Sequence, residues 1–378
     1  MRPRGTITSR SPGSYRIRYS LGRDPVTGRR RFGTTTIKGT RKQAEKELVR
    51  LLRMVDTGEH VDPNRMTVGD WLEAWLKALA ISPKAHERYT EIVRCYLTPA
   101  LGQVQLAKLT PIQIQEAYSG FRRKDGTALA PSTRRYIHVI LKSALGSAVK
   151  QQLLARNPAD AFTKPARIER KEISTLTVEQ SIKLLGSIRH MHIYWPVLLA
   201  LTTGMRRGEI LALRWRNVDL VKGRLRVVQS LEQTKDAIRF KDCKTGRNRA
   251  ITLPGFVVDE FRQHKAQQAQ ALLRLGVRQS GETLVCCRED GEPKQPRSLT
   301  REFAQVAGRI KDVPKVRFHD LRHSHATQLL ADGVHPKIAQ ERLGHSTITT
   351  TMDLYSHVTE TMQTDAATRL DVAFRRGR

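Results

Sequence analysis

The spacing of hydrophobic residues changes period along this 378-residue chain, and that change limits what it can fold into. Between residues 14 and 37 the period is two. Tyr15, Ile17 and Tyr19 alternate with Arg16 and Arg18, the pattern of a half-buried strand. Asp24-Pro25 and Thr27-Gly28 supply turn chemistry, and Arg29 to Phe32 begins a second strand. Thr40 is placed to cap a helix over about 41–55, with Ala44, Leu48, Leu51 and Leu52 on one side. From Thr67 the pattern is helical: a capping residue opens TVGDWLEAWLKAL, and Val68, Trp71, Leu72, Trp75 and Leu79 form one stripe. Both tryptophans read as core. Further helices are expected at about 84–97, 111–122 and 131–153, broken by Pro99, Gly102, Pro111, Gly126 and Pro131. Asn157-Pro158 stops this run, and a charged linker containing Pro165 follows. A third, helix-rich stretch starts near Thr177, in which 224–231 and 249–253 look like strands flanking polar residues.

The expected fold class is multidomain, mainly α with small β-sheets, divided as 1–58, 66–160 and 174–378. Hydrophobic residues at 39% and charged residues at 27% exclude wholesale disorder. The charge is informative. Lys and Arg number 67 against 36 acids, a net charge of +31, which argues against a typical metabolic enzyme and for a polyanionic partner, nucleic acid first. Basic residues outnumber acidic ones by 16 to 6 over residues 1–65, 14 to 7 over 66–165 and 37 to 23 beyond. A basic tail on a neutral enzyme would concentrate that excess at one end. Arg16, Arg18, Arg29 and Arg31 interleave with aromatics on strands, which favours nucleic-acid contact over a merely solvated face. The four cysteines have no C-x-x-C pair and read as reduced thiols. No apolar run of about 18 residues predicts a membrane span, and the first residues lack a signal-peptide core, so a cytoplasmic, nucleoid-associated location is expected.

Four short clusters carry chemistry. In LTTGMRRGEILALRW (201–215), Gly204 can end one helix while Arg206 opens the next, where free N–H groups and the helix dipole favour an anion. Glu209, one turn on, can hold that guanidinium. In KTGRNR (244–249), Lys244 precedes a Thr-Gly turn at a hairpin tip; a lysine there is usually only solvated, yet an ammonium can surrender a proton where arginine cannot. In FHDLRHSHAT (318–327), His319 and Arg322 share a helical face. His319 and His323 have the spacing of a helical zinc pair, but no Glu-x-x core or cysteine lies nearby, so no metal is expected. In RLGHSTITTTMDLYSHV (342–358), Leu343-Gly344-His345 marks a helix end and a reversal, and Tyr355 lies ten residues beyond His345. Each cluster alone is weak.

Together, in this order, T-G-x-R, K-T-G, H-x-x-R, L-G-H and a following tyrosine resemble the tyrosine recombinase (phage integrase) family, over residues 177–360. The helical stretch at 66–160 is similar to the family's core-type DNA-binding domain, and the N-terminal sheet, three-stranded by that likeness, to the arm-binding domain of its longer members. The resemblance implies a mixed α+β catalytic domain at 174–378 and a site-specific recombinase of a phage or mobile element, which integrates and excises DNA without ATP. It makes Tyr355 the nucleophile that forms a 3′-phosphotyrosyl link and Lys244 the general acid for the 5′ oxygen. Arg206 and Arg322 would hold the non-bridging oxygens of the scissile phosphate, His319 would move a proton with Tyr355, and His345 would hydrogen-bond the phosphate. Arg207 competes with Arg206 and loses only by the T-G-x-R register. Glu209 and Asp320 are supporting candidates.

Two arginines, a lysine and histidines supply the charge that metal ions supply elsewhere, so no cofactor is expected. The implied partners are double-stranded DNA at core and arm sites, three further copies in a tetramer on DNA, and accessory DNA-bending or directionality factors. The segment ending TRLDVAFRRGR packs either on a neighbouring subunit or on its own domain. A type IB topoisomerase shares the chemistry but not the N-terminal sheet or the L-G-H register. A non-catalytic regulator would leave the whole catalytic set unexplained.

Overall fold

The computed structural model describes residues 4–23, 28–56, 65–123, 125–161, 174–242 and 248–355, with Ala367, Thr368, Asp371, Phe374 and Arg375 beyond them. The chain forms two compact units, residues 1–169 and 170–378.

Within the first unit, β1 (Gly5–Ser11), β2 (Ser14–Arg23) and β3 (Arg30–Lys38) form an antiparallel sheet in that order. The helix α1 (Arg41–Asp56) follows, and Thr40 and Gln43 cap it reciprocally, each taking the other's backbone N–H. The alternation of β2 does what its period requires. Ile17 and Tyr19 are buried with Ala44 and Leu51 of α1, while Arg16 and Arg18 lie on the open face. Arg16 stands opposite Thr8 and Thr36, Arg18 opposite Thr6 and Thr34, and the Arg18 guanidinium lies 4.2 Å from the centre of the Phe32 ring. The four arginines are not one row. Arg31 falls in the same parity as Gly33 and Ile37, on the side of the sheet that carries α1, and Arg29 precedes β3.

A separate helical core follows: α2 (Val68–Ala78), α3 (Pro83–Ile92), α4 (Thr98–Leu101), α5 (Pro111–Gly120) and α6 (Pro131–Lys150). Thr67 and Thr110 open α2 and α5 with capping boxes, to Asp70 and Gln113. Trp71 and Trp75 are core, as their stripe predicts, and their indole N–H groups donate to the Ala144 carbonyl (2.9 Å) and Ser147 Oγ (3.2 Å) of α6. The helix expected over 84–97 is present, but its last turn changes register. A π turn at Val93–Leu97 separates α3 from α4, and Thr98 donates back to the Val93 carbonyl. Pro99 has no N–H to give the Cys95 carbonyl four residues back, and its ring crowds that carbonyl, so the bonding register widens just before it.

The second unit opens with α7 (Val178–Ser187), α8 (Tyr194–Thr203) and α9 (Arg207–Leu211). Two small sheets follow: β4 (Val218–Asp219), β5 (Arg224–Val227) and β8 (Arg249–Thr252) in one, β6 (Gln229–Gln233) and β7 (Ile238–Asp242) in the other. The single strand expected over 224–231 is therefore two. β8 offers only four residues to pair with β5, so the chain leaves that sheet at Val228 and builds a hairpin with β7. The period-two pattern continues through the break, with Leu225, Val227 and Leu231 all buried, and so does not betray it. The unit finishes with α10 (Gly255–Arg274), α11 (Pro296–Ala307), α12 (Asp320–Ala331), α13 (Pro336–Leu343) and α14 (Ile348–Tyr355). Its main core runs from Leu176 to Leu321, and a second cluster of Ala326, Leu330, Ala339 and Leu343 joins α12 to α13. α14 packs on α12 and α13.

Candidate active site

Two left-handed glycines build the site. Gly204 ends α8 at φ +66° and Gly344 ends α13 at φ +68°. Each turns the chain sharply, and the two turns are tied together by arginines. Arg322 of α12 is 3% exposed; it donates through Nη1 to the Gly204 carbonyl (2.5 Å) and through Nη2 to the Leu343 carbonyl (2.8 Å). Arg206, at the N-terminal cap of α9, donates through Nη2 to the next carbonyl, Gly344 (3.1 Å). Both guanidiniums thus converge on consecutive peptide oxygens of one turn, immediately before His345.

Glu209 holds Arg206 from behind. Its carboxylate, 4% exposed, accepts the Arg206 backbone N–H and Nη1, both at 2.9 Å. Burial pushes this carboxyl upward, but hydrogen bonds and charge from Arg249, then from Arg206, outweigh it and keep the group below its ordinary value. Arg322 forms no ion pair among the described residues. Burial, then the neighbouring Arg206, lowers its guanidinium to about 9, still charged at neutral pH. A buried cation held only by carbonyls is a site for an anion.

His319 stands at the start of α12, its ring edge-on to His323 with centroids 5.0 Å apart. Burial, then His323 and Arg322, lowers it to about 4. His345 meets Thr351 of α14 through Nδ1 (2.9 Å), and burial, then Arg322 and Arg206, brings it also to about 4. Both rings are neutral at pH 7. Among the described residues no group of three or more His, Cys, Asp or Glu side chains could hold a metal.

Other expected residues fare differently. Asp320 is occupied by Arg317, accepting its backbone N–H (2.7 Å), Nε (3.0 Å) and Nη2 (2.7 Å). Arg207 donates to Thr300 of α11 and so leaves the turn at Gly344 to Arg206. Lys244 lies outside the described residues, among positions 243–247 between β7 and β8. Tyr355 closes α14, and its side chain lies outside the described residues.

Arg249, Arg342 and His325 also belong to this neighbourhood, although their spacing gave no sign of it. Arg249 grips both oxygens of Glu209. Arg342 donates to the carbonyls of Thr252 and Thr202 (both 2.9 Å) and to His325 Nε2 (3.2 Å). His325 Nδ1 therefore carries the proton and donates to the Leu201 carbonyl (2.8 Å). The cleft in front of these groups, about 1190 Å³, is lined by Arg206, Lys241, Arg249, Lys337, Arg342 and His345 among others. Its five lysines and arginines outnumber its three acids, Glu209, Asp242 and Glu341, so the lining is net positive.

Residues 167–362, more than half of the chain, match the family model described as the phage integrase family. The chain belongs to that family. It is a tyrosine recombinase, an enzyme that cuts and rejoins DNA in site-specific recombination. Residues 67–121 of this integrase match a second model, the SAM-like N-terminal domain of phage integrases. It is 27% identical to a XerC-like tyrosine recombinase of Caldanaerobacter subterraneus subsp. tengcongensis, covering 95% of this chain and 96% of that protein. It is 25% identical to the ICEBs1 integrase of Bacillus subtilis, covering 95% and 97%. Its fold is similar to that of the Tn1549 transposon integrase in complex with a circular intermediate DNA (TM-score 0.68, 20% identity, 80% of this chain and 99% of that one). It is also similar to that of a lambda integrase tetramer bound to a Holliday junction (TM-score 0.56, 20% identity, 92% and 97%). Among the described residues no helix is long and apolar enough to cross a membrane.

Proposed function

We propose that this integrase inserts and excises a mobile element through a 3′-phosphotyrosyl intermediate, with the scissile phosphate seated between Arg206 and Arg322. The observation that carries the reading is that both guanidiniums hang from adjacent carbonyls, Leu343 and Gly344, beside His345. Neither has its charge cancelled outright, because Glu209 is shared with Arg249 and Arg322 has no carboxylate among the described residues. Two fixed guanidiniums lower the energy of a pentavalent phosphorane without reorganising, the electrostatic contribution that usually dominates.

In this reading the Tyr355 oxygen attacks phosphorus, the bond from phosphorus to the 5′ oxygen breaks, and Lys244 gives that oxygen its proton. His319, neutral at pH 7, accepts the tyrosine proton, and His345 donates a hydrogen bond to the phosphate. The His345–Thr351 bond supports the tyrosine assignment. Thr351 and position 355 are one turn apart on α14, so the helix that ends in Tyr355 is anchored to the phosphate site. The ester keeps the energy of the broken phosphodiester, so religation needs no ATP.

The three chain segments take three tasks: 1–58 binds arm sites through Arg16 and Arg18 of its open face, 66–160 grips core sites, and 174–378 is catalytic. Separate cores in the N-terminal sheet and the helical segment support that division. Four copies act on two duplexes, in the bacterial or phage-infected cytoplasm, with accessory DNA-bending factors. The test is a nicked suicide duplex, from which the 5′ strand diffuses away and leaves the adduct trapped. Wild-type protein should form it, and Tyr355→Phe should bind the duplex with unchanged affinity and form none; an adduct in that variant overturns the assignment.

A further inference from the structure

Arg249 has no part in the chemistry above, yet it is one of the best-tied side chains in the unit. It opens β8, is 12% exposed, and donates through Nη1 and Nη2 to both oxygens of Glu209 (3.2 and 2.6 Å). Its Nε donates to the Arg342 carbonyl (2.9 Å), at the end of α13. The guanidinium also packs against the Gly344 turn, close enough that a Cβ on Gly344 would stand 2.9 Å from Nη1.

Charge gives this arrangement a purpose. A carboxylate as buried as Glu209, held by Arg206 alone, would cancel much of the charge meant for the phosphate. With Arg249 present, Arg206 and Arg249 share that carboxylate while Arg322 has no ion pair among the described residues, so the three guanidiniums together carry two positive charges more than Glu209 cancels. Bidentate geometry, which arginine alone among the cations offers, fixes the direction of Glu209 as well as its charge.

We propose that Arg249 is a positioning residue. It neutralises Glu209, so that Glu209 can aim Arg206 without cancelling it, and it steadies the Leu343–Gly344 turn from which Arg206 and Arg322 both hang. This rests on the reading of Arg206 as a phosphate ligand.

The experiment is single-turnover adduct formation on the nicked duplex, with full-length protein and with DNA affinity measured separately. Arg249→Ala should slow the chemical step about 100-fold, the scale of misplacing a catalytic group, with affinity nearly unchanged. Glu209→Gln added to that variant should recover about tenfold of the rate, because the uncompensated carboxylate is gone. A purely structural Arg249 predicts the opposite, a further loss, and that result overturns the proposal. So does a wild-type rate for Arg249→Ala while Arg206→Ala is inactive. A wild-type rate for Arg206→Ala removes the phosphate-ligand reading instead, a separate failure. Should Arg249→Ala not fold, Arg249→Lys and Arg249→Gln carry the comparison: lysine, which keeps the charge, should retain more rate than glutamine.

Discussion

His264, His319, His325 and His345 share one condition: burial, with nearby cations, holds each near a pKa of about 4, well below the ordinary value of about 6.5. Between those two values the unfolded chain binds protons that the folded chain refuses, so stability rises with pH across that window. Glu209 and Asp320 are lowered as well, and their contribution is lost only on further acidification, through the carboxylate range. The denaturant midpoint should therefore climb from pH 4 to 6.5 and then level off. His325→Gln should make the climb shallower, and a flat midpoint between pH 4 and 6.5 would refute the neutral-histidine account. At this scale the sequence is legible where roles are packed into short windows. Arg206 with Glu209, and His319 with Arg322, sit one helical turn apart. Arg249, Arg342 and His325 are not legible, because their partners include backbone carbonyls 93, 90 and 124 residues away and no local spacing encodes such a bond.

Punctuation decides the elements. Thr67, Thr110 and Thr177 each open a helix with a capping box, and Gly204 and Gly344 each close one in the left-handed region. These boundaries could be read from residue type alone. The strand break at Val228 and the strand β7 could not, since pairing partners, not propensity, set them. Gly204 joins element to site. Its conformation disfavours any side chain by about 1–2 kcal/mol, and a Cβ there would stand 2.6 Å from both His325 Cδ2 and Leu343 Cδ2. The His325 ring cannot swing away cheaply, because both its nitrogens are bonded. Gly204→Ala should thus cost more than the backbone penalty alone and displace the carbonyl that holds Arg322. Chemical denaturation should register the first effect and adduct formation on the suicide duplex the second; a variant with wild-type stability and rate contradicts the packing at this turn.

Across the whole molecule the basic excess is distributed rather than local, with every segment positive in its own right. That distribution is legible from composition, and it points to a partner long enough to touch each segment. Composition does not say which arginines do the touching. Pairing register does: Arg16 and Arg18 share the open face of the N-terminal sheet with Phe32 and four threonines, Thr6, Thr8, Thr34 and Thr36, whereas Arg31 has the opposite parity. A flat, threonine-studded face with two guanidiniums can sit against a phosphate backbone, and α1 closes the other side so that the sheet needs no further support. Every phosphate that a cation ceases to neutralise takes about 0.9 off the slope of log affinity against log salt. Deleting residues 1–57 should accordingly flatten that slope on arm-site DNA by about 2 if Arg16 and Arg18 bind the backbone, and leave core-site cleavage intact. Replacing Arg16 and Arg18 by glutamine in the full chain should reproduce most of the change, and replacing Arg31 should add little. An unaltered slope after the deletion would remove the N-terminal sheet from the DNA-binding surface.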